Sequence, residues 1–303
     1  MSAKKIYDTI ISKEPITKGW SEDKKYCAST SDGTKYLLRI SQLSKYETKK
    51  SLFSMMEQIT ALDIPMCLPI EFGICEEGAY SIHSWIHGED LESILPLSTE
   101  TLLTETEQYA LGSQAGKILK KIHTISVPEA NEEWSIRFNR RIDRTIKEYE
   151  MCGMKFDGDY HMFSYLEKNR HLLKNRPQCY LIGDYNIMNM MYEKSELKII
   201  DFERFEIGDP WDEFNCIVWN AYASPHFATG QLHAYFDGEL PREFFQLLSV
   251  YIIILLLSLC SSWAITSEFG RNVTMKLSQD VLKWFDHMQN PVPTWYLRDY
   301  SKR

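Results

Sequence analysis

The sequence predicts an α+β fold with a small antiparallel-sheet lobe at the N-terminus and a mainly helical lobe after it. The first hundred residues alternate between apolar and polar positions as half-buried strands do, whereas long helical periodicities dominate from about Leu91 onward. No internal repeat and no Pro/Gly/Ser-rich linker separates the two parts. We therefore expect an N-terminal sheet-plus-helix lobe over residues 1–86 and a C-terminal helical lobe over residues 87–303.

The N-terminal lobe contains a predicted hairpin followed by one helix. The hairpin turn falls at residues 31–33 (Ser-Asp-Gly), between alternating segments that begin at Tyr26 and Lys35. A helix is predicted over residues 45–62, because apolar side chains recur there every three to four positions. Two further short strands flank the turn at residues 75–78, so the pattern indicates a small sheet with one helix beside it.

The C-terminal lobe contains long amphipathic helices, interrupted once by two short apolar strands. The clearest helix runs from Glu107 to Ile125, and the strands at residues 179–182 and 197–200 are predicted to form a small hairpin that carries polar residues. The run from Leu247 to Ile265 is nearly long enough to span a membrane. Serines and a tyrosine interrupt it, and no Lys or Arg cluster flanks it, so a helix buried inside the lobe is predicted.

Composition limits the classes of function. The chain has 303 residues with 44% hydrophobic side chains, enough for a sizeable core, and its formal charge of −8 argues against a protein that grips nucleic-acid phosphates. An acidic balance suits a cationic ligand, although solubility explains it equally well. The seven cysteines contain no C-x-x-C pair, and no secretory apolar stretch opens the sequence. We expect reduced thiols, a cytoplasmic location, and neither a nucleic-acid nor a membrane partner.

Three polar residues around the interrupting strands carry the most chemical information. Asp184 and Asn189 are five positions apart, and Asp201 follows Asp184 by 17. Phosphoryl transfer needs a carboxylate that orients the attacking hydroxyl and accepts its proton, and it needs oxygen ligands for a magnesium ion that bridges the phosphates. The alternative is a polar hairpin whose Asp and Asn side chains cap turns. The spacing and the flanking apolar strands favour the phosphoryl-transfer site.

These residues resemble the aminoglycoside phosphotransferase family, whose loop reads roughly His-Gly-Asp-x-His-x-x-Asn and is followed by Ile-Asp-Phe-Asp/Glu. Gly183-Asp184, Asn189 and the segment 200–203 (Ile-Asp-Phe-Glu) match this pattern. The resemblance implies a two-lobed protein-kinase-like fold and transfer of the γ-phosphoryl group of ATP or GTP to a hydroxyl of a small molecule, such as an aminoglycoside. It implies Asp184 as the catalytic base and Asn189 and Asp201 as magnesium ligands.

Other segments extend the resemblance. Arg39 stands where the family has a phosphate-binding lysine, and residues 84–88 resemble the segment whose backbone meets adenine, which assigns Ser84 and Ile86 to the nucleotide. The Gly112-x-x-x-Gly116 helix also matches. Asp209, in a Gly-Asp-Pro turn, is predicted to brace the catalytic loop.

The sequence also departs from the family pattern. Ile182 and Asn186 replace the two loop histidines, and Arg39 brings a planar fork in place of a compact ammonium. The helix after Arg39 should offer a glutamate to hold the cation, but Glu47 and Glu57 lie about one turn to either side of the expected place. These departures leave open a catalytically degraded, kinase-like binding protein.

The acceptor also remains open, because a kinase of a metabolic alcohol such as choline fits the same residues. A protein-kinase role is disfavoured, since no Ala-Pro-Glu follows Asp201. Several acids of the C-terminal lobe could line a pocket for a cationic substrate: Asp157, Asp159, Asp212, Glu213 and Asp237.

Overall fold

The chain divides into two compact units in a computed structural model that describes residues 5–19, 21–95, 103–127 and 132–300. The first unit comprises Met1–Leu91 together with Asn189–Glu203, and the second comprises Glu92–Met188 together with Arg204–Arg303. A sheet-rich first part and a mainly helical remainder confirm the predicted α+β class. The lobe boundary after residue 86 stays a prediction.

The first unit is built on a five-stranded antiparallel sheet in the order β1-β2-β3-β5-β4. Its strands are β1 (Ile10–Pro15), β2 (Lys24–Thr30), β3 (Lys35–Ser41), β4 (Pro69–Cys75) and β5 (Gly78–Ser84). The predicted hairpin is β2–β3, and Gly33 in its turn adopts a φ of 84°, which glycine takes without steric cost. One face of the sheet carries a buried apolar cluster: Ala28, Leu38, Ile40, Tyr80 and Ile82.

Helix α1 (Tyr46–Thr60) packs against β4 and β5 and agrees with the predicted helix over residues 45–62. Its buried side chains are the ones that set the periodicity: Leu52, Phe53, Met55, Met56 and Ile59. The charged side chains of this helix lie outside its apolar stripe.

The predicted pairing of strands 179–182 and 197–200 is wrong, although both strands exist. The later strand, β9 (Glu196–Ile199), pairs with β8 (Met190–Glu193), which in turn pairs with β6 (Glu89–Asp90) in the first unit. The earlier strand, β7 (Cys179–Leu181), pairs with β10 (Glu206–Gly208) in the second unit. Strands of three or four residues leave too little periodicity to identify partners, and the β8–β9 turn lacks the Asn-Gly signature of tight hairpins.

The β8–β9 hairpin belongs to the first unit because its backbone bonds to the segment after α1. The Ile199 amide donates to the Pro65 carbonyl at 2.9 Å, and the Cys67 amide donates to the Ile199 carbonyl at 3.1 Å. The His87 amide also donates to the Glu193 carboxylate at 2.8 Å. These bonds attach the residues on both sides of the hairpin turn to the sheet-bearing part of the chain.

The helices of the described residues after α1 are α2 (Leu91–Ile94), α3 (Glu105–Ile122), α4 (Trp134–Met151), α5 (Asp159–Asn169), α6 (Ile217–Ala223), α7 (Pro225–Tyr235), α8 (Arg242–Ser261), α9 (Trp263–Thr266) and α10 (Glu268–Trp284). Helix α3 opens with a capping box, in which Thr104 and Glu107 satisfy each other's backbone amides.

Helix α8 contains the apolar run that is long enough to cross a membrane. The segment Arg242–Thr266 passes that test by length and composition, and 72% of its most apolar window is buried inside the fold. It packs against α4, α5 and α10, and the Tyr251 hydroxyl accepts a hydrogen bond from the Trp134 indole at 2.9 Å. The predicted buried helix is confirmed, since an all-round apolar helix packs inside a larger helical body.

Candidate active site

Arg39 lies in the middle of β3, on the face of the sheet opposite the buried apolar cluster. Its guanidinium lies 2.9 Å from a Glu203 carboxylate oxygen and donates to Asp23 at 3.3 Å and to the Ser21 hydroxyl at 3.0 Å. Only 11% of the side chain is exposed. Burial opposes its charge, but the carboxylates of Glu203, Asp201 and Asp23 together raise the pKa of Arg39 above its ordinary value.

The acids that hold Arg39 do not come from α1. Glu47 and Glu57 are both exposed, as expected for solvated helix charges. The helix instead contributes Lys49, whose ammonium donates to Asp23 at 2.6 Å and to Glu203. Asp23 and Glu203 therefore each bridge Arg39 and Lys49, and two carboxylates compensate two cations.

Burial alone would raise the pKa of Asp23, but hydrogen bonds from Lys49 and Ser41 and the charge of Arg39 lower it below its ordinary value. Sequence reasoning missed both Asp23 and Lys49. The available signal was weak: Asp23 directly precedes a strand, and Lys49 has the spacing of an ordinary exposed helix position.

Asn189 and Asp201 lie at the same end of the β8–β9 hairpin. Met190 pairs with Ile199, so Asn189 immediately precedes this pair and Asp201 follows it by two positions; the Ile200 amide donates to the Asn189 carbonyl at 3.0 Å. The Asp201 side chain is 40% exposed. An amide oxygen and an exposed carboxylate fit a magnesium ion that takes its other ligands from phosphate and water.

The segment assigned to the nucleotide base follows β5. The Ser84 amide donates to the Leu68 carbonyl at 2.9 Å, and the Ser84 hydroxyl accepts from the Leu68 amide at 2.8 Å, which fixes the end of the strand. Residues 85–88 carry no regular secondary structure. Within the described ranges, no backbone hydrogen bond involves Ile86, which leaves its N–H and C=O for the edge of a purine base.

In the second unit, Asp184 lies on the loop after β7. Its Oδ1 accepts a hydrogen bond from the Asn186 side-chain amide at 2.6 Å, and its Oδ2 lies 3.5 Å from the Arg204 guanidinium. A quarter of the Asp184 side chain is exposed. The Cys216 thiol also donates to Oδ1 at 3.6 Å, so several side chains of the second unit orient the carboxylate.

The loop around Asp184 is held by Glu213. The amides of Ile182 and Gly183 donate to its two carboxylate oxygens at 2.5 and 2.8 Å, and the Glu213 side chain is fully buried. Gly183 adopts a φ of 83°, and a Cβ there would lie 2.2 Å from the Arg204 carbonyl oxygen. Only glycine fits this turn.

The two departures from the family loop have structural roles. Ile182 is buried with 1% exposure and packs as a core residue. Asn186 is also buried; besides donating to Asp184, it accepts a hydrogen bond from the Met188 amide at 2.9 Å. Asn220 accepts from the Ile187 amide at 2.9 Å, so the loop has a polar partner on both sides of Asn186.

The prediction that Asp209 braces the catalytic loop is wrong for its described contacts. Its carboxylate accepts two hydrogen bonds from Arg176, at 2.6 and 2.9 Å, and one from the Tyr251 hydroxyl at 2.6 Å. Asp209 therefore ties β10 to α8 and to the chain before β7. Glu213, four residues later, is the acid that contacts the loop. No local sequence signal distinguishes it from an ordinary glutamate.

Most of the acids considered for a cationic pocket have internal partners. Asp212 and Glu213 are buried, Asp159 accepts from the Tyr149 hydroxyl at 2.8 Å, and Asp237 pairs with Lys120. Asp157 is exposed. Two of the five carboxylates, Asp157 and Asp237, face solvent, and Asp237 forms only a surface pair with Lys120.

Residues 13–245 match the phosphotransferase enzyme family. The chain belongs to this family. Membership covers both units, from β1 to the start of α8, and agrees with the resemblance of the loop and hairpin motifs. The phosphotransferase is therefore kinase-like in fold, with its acceptor substrate undetermined.

Solved structures support the same fold. The phosphotransferase is similar to a thermostable mutant of the aminoglycoside phosphotransferase APH(4)-Ia, solved with ADP and hygromycin B, at 14% identity and a TM-score of 0.65 over 92% of this chain and 96% of that one. It is similar to the amicoumacin kinase hAmiN, solved with AMP-PNP, Ca²⁺ and Ami, at 12% identity and a TM-score of 0.60 over 92% of this chain and 90% of that one. It is also similar to APH(2'')-IIa, solved with streptomycin and ATP, at 17% identity and a TM-score of 0.59 over 92% of this chain and 96% of that one. No curated protein sequence is significantly similar to it.

Proposed function

We propose that this phosphotransferase moves the γ-phosphoryl group of ATP or GTP to a hydroxyl group of a small molecule. The observation that carries the proposal is the catalytic loop: Asn186 orients the Asp184 carboxylate, Glu213 fixes the two backbone amides that precede Asp184, and a quarter of the Asp184 side chain is exposed. Family membership and the Asn189 and Asp201 positions support the same reaction.

Asp184 accepts the proton of the acceptor hydroxyl as that oxygen attacks the γ-phosphorus. The bond from the γ-phosphorus to the bridging oxygen breaks, and the nucleoside diphosphate leaves with the electron pair. Asn186 donates to Oδ1, and the Arg204 guanidinium lies 3.5 Å from Oδ2, so both groups position the carboxylate that receives the proton.

The first unit would hold the nucleotide. Arg39 would steady the phosphates, and the backbone of Ser84 and Ile86 would meet the base. Asn189 and Asp201 would hold magnesium, which when bound offsets the negative charge that develops on the phosphates. A loose phosphoryl transition state needs positioning and electrostatic stabilisation more than covalent chemistry, which is what these residue types supply.

Two observations bear on the class of acceptor: the molecules bound to the structural relatives and the charged residues of the second unit. Two of the structural relatives were solved with hygromycin B and streptomycin, so aminoglycosides are the first acceptors to test. In the second unit, three of the five candidate acids are buried or hydrogen-bonded to a buried tyrosine, and Arg204 lies beside Asp184. These contacts weaken the case for a polycationic acceptor, so neutral sugars and amino alcohols such as choline belong in the same screen.

The test is phosphorylation of an acceptor panel by the wild-type chain and by Asp184→Asn. We expect the variant to lose about 100- to 10,000-fold in kcat, the contribution of a general base, while its nucleotide affinity stays roughly unchanged. Asp237→Asn is the matched control, because it removes an exposed carboxylate of the same unit. Retained turnover in Asp184→Asn would exclude Asp184 as the base. Nucleotide binding without turnover of any acceptor by the wild type would favour a degraded, ligand-binding kinase.

A further inference from the structure

Lys25 is the cross-strand neighbour of Arg39. The β2–β3 register pairs the two residues directly, so both side chains lie on the sheet face opposite the apolar cluster. Lys25 is half-buried, and Arg39 is almost fully buried. Like charges directly opposite each other on one face are destabilising unless something of opposite charge lies between them.

Lys25 differs from Lys49 in its partners. The Lys49 ammonium is enclosed by Asp23 and Glu203, whereas the Lys25 ammonium donates to the Lys18 carbonyl, and no carboxylate of the described residues lies within 4 Å of it. Burial and then repulsion from Arg39 lower the pKa of Lys25 below its ordinary value, against weaker attraction from the nearby acids.

The β1–β2 turn closes over the Lys25 ammonium. A Cβ at Gly19 would lie 2.8 Å from Lys25 Nζ, and the Lys18 carbonyl accepts its hydrogen bond. Two cations on adjacent strands therefore form one side of the site. The backbone of the β1–β2 turn, which carries no side chain at Gly19, forms the other. Such a site favours an anion, because the ligand's charge would relieve the repulsion between the two cations.

From these contacts we infer that Lys25 and Arg39 together bind the phosphate chain of the nucleotide beneath the β1–β2 turn, with Lys25 as a second phosphate-binding cation. The inference rests on the proposed function for the identity of the ligand. Lys49 has a separate role: with Asp23 and Glu203 it fixes the Arg39 guanidinium from the side of α1, where a glutamate was expected.

A polyphosphate fits this site better than a single carboxylate does. Arg39 Nη1 lies 3.8 Å from Asp201 Oδ1, so the cation pair adjoins the residue proposed as a magnesium ligand. Asp23 and Glu203 already compensate Arg39 and Lys49, which leaves the charge of Lys25 for the ligand. A chain of several charged groups can contact the cations at one end and the metal ligands at the other.

The test is calorimetric titration of Lys25→Gln with inorganic tripolyphosphate and with ATP, both in magnesium buffer. Loss of a charge-assisted hydrogen bond predicts about 10- to 100-fold weaker binding, and the fold loss should be equal for the two ligands because they share only the phosphate chain. The melting temperature of Lys25→Gln should not fall, since the change removes a repulsion. Lys25→Arg should bind both ligands more tightly than Lys25→Gln does, because it retains the positive charge.

Lys24→Gln is the matched control. Lys24 is the preceding residue on β2, points to the other face, and pairs with Glu77 at the surface, so its variant should bind both ligands as wild type does. Undiminished tripolyphosphate binding by Lys25→Gln would overturn the inference, as would failure of the wild type to bind either ligand. If the wild type phosphorylates an acceptor but Lys25→Gln binds tripolyphosphate as the wild type does, the inference is overturned and the proposed reaction stands. Lys25-dependent tripolyphosphate binding without turnover supports it and overturns only the proposed reaction.

Discussion

At the scale of single residues, Glu213 supplies hydrogen-bond acceptors to two backbone amides of the catalytic loop. Gly183 turns the chain through a left-handed conformation, so the amides of Ile182 and Gly183 leave the ladder of β7 and need other acceptors. A carboxylate supplies two oxygens to two consecutive amides, and burial excludes the water that would compete. The position of Asp184 therefore depends on an acid 29 residues away that touches no substrate in the proposed reaction.

Glu213→Gln should separate this positioning role from simple stabilisation. The glutamine keeps one acceptor but turns an NH₂ group toward a backbone amide, so we expect a loss of about 1–3 kcal/mol in the free energy of unfolding. Because the loop would loosen, kcat should also fall, by roughly 10- to 100-fold, while nucleotide affinity is retained. Steady-state kinetics with thermal denaturation would measure both effects. Glu239→Gln, at an exposed position of the same unit, should change neither.

An unchanged kcat in folded Glu213→Gln would contradict the positioning role and leave Glu213 as a structural residue. A rise in the nucleotide Kd without a change in kcat would contradict it as well, because the loop amides belong to the second unit and the nucleotide residues to the first.

At the scale of elements, α3 and α7 pack with their backbones in contact. A Cβ at Gly112 would lie 2.0 Å from the Phe227 carbonyl oxygen, and one at Gly116 would lie 2.2 Å from that of Gln231. Such distances leave no room for a methyl group. The Tyr185 hydroxyl donates to the Ala115 carbonyl at 2.8 Å, so α3 also contacts the catalytic loop.

Gly116→Ala should force the two helices apart. Overpacking of this kind costs about 1–3 kcal/mol, and we expect the upper end of that range because the methyl group would meet backbone, which cannot rotate away. Chemical denaturation would measure the change. The control is Lys117→Ala on the exposed side of the same helix, where alanine should alter stability by less than about 0.5 kcal/mol. A wild-type midpoint for Gly116→Ala would show that the helices can separate at little cost.

The elements that sequence predicts well are those with a local signal. Helices α1 and α3 and the β2–β3 hairpin follow from periodicity and turn residues, and α8 follows from its continuous apolar run. The strands of the interrupting region were found but paired wrongly, because three or four residues fit many partners. In addition, Ile199 of β9 bonds to the backbone of Pro65 and Cys67, more than 130 residues earlier, and such a contact has no local signal.

The same division holds within the candidate site. Spacing alone selects Asp184, Asn189 and Asp201, since catalytic loops keep their residues at fixed distances along the chain. Spacing along the chain does not identify Lys49 or Glu213. A lysine on a helix and a glutamate after a turn are ordinary in sequence, and only tertiary contacts distinguish them from solvated charges.

At the scale of the whole molecule, each unit buries a group whose pKa shift changes its charge in acid. Burial, with repulsion from Arg39 and Lys49, lowers the pKa of His83 in the first unit to about 3. Burial raises the pKa of Asp212 in the second unit to about 7, although Arg141 and Asn215 oppose the shift and Glu206 and Asp209 add to it. Both groups are neutral in the folded chain over the intervening pH range, whereas the unfolded chain ionises both.

The two units should therefore respond to acid in opposite directions. The unfolded His83 gains a proton below its ordinary value of 6.5 while the folded one does not, so the first unit loses about 1.4 kcal/mol per pH unit below 6.5, down to about pH 3. The folded Asp212 retains its proton up to about pH 7 whereas the unfolded one ionises above 3.8, so the second unit gains about the same amount per pH unit as the pH falls from 7 toward 4.

Hydrogen–deuterium exchange at pH 7.0 and 5.5, corrected for the intrinsic rate, would measure this opposition. Amides of β3 and β5 should exchange faster at the lower pH, and amides of α4 and α8 should exchange more slowly. In Asp212→Asn the second unit should lose its gain in stability at the lower pH while the first keeps its own response; in His83→Phe the first unit should lose less stability at the lower pH while the second keeps its gain. If both units shifted in the same direction in the wild type, the buried His83 and Asp212 would not govern how stability varies with pH.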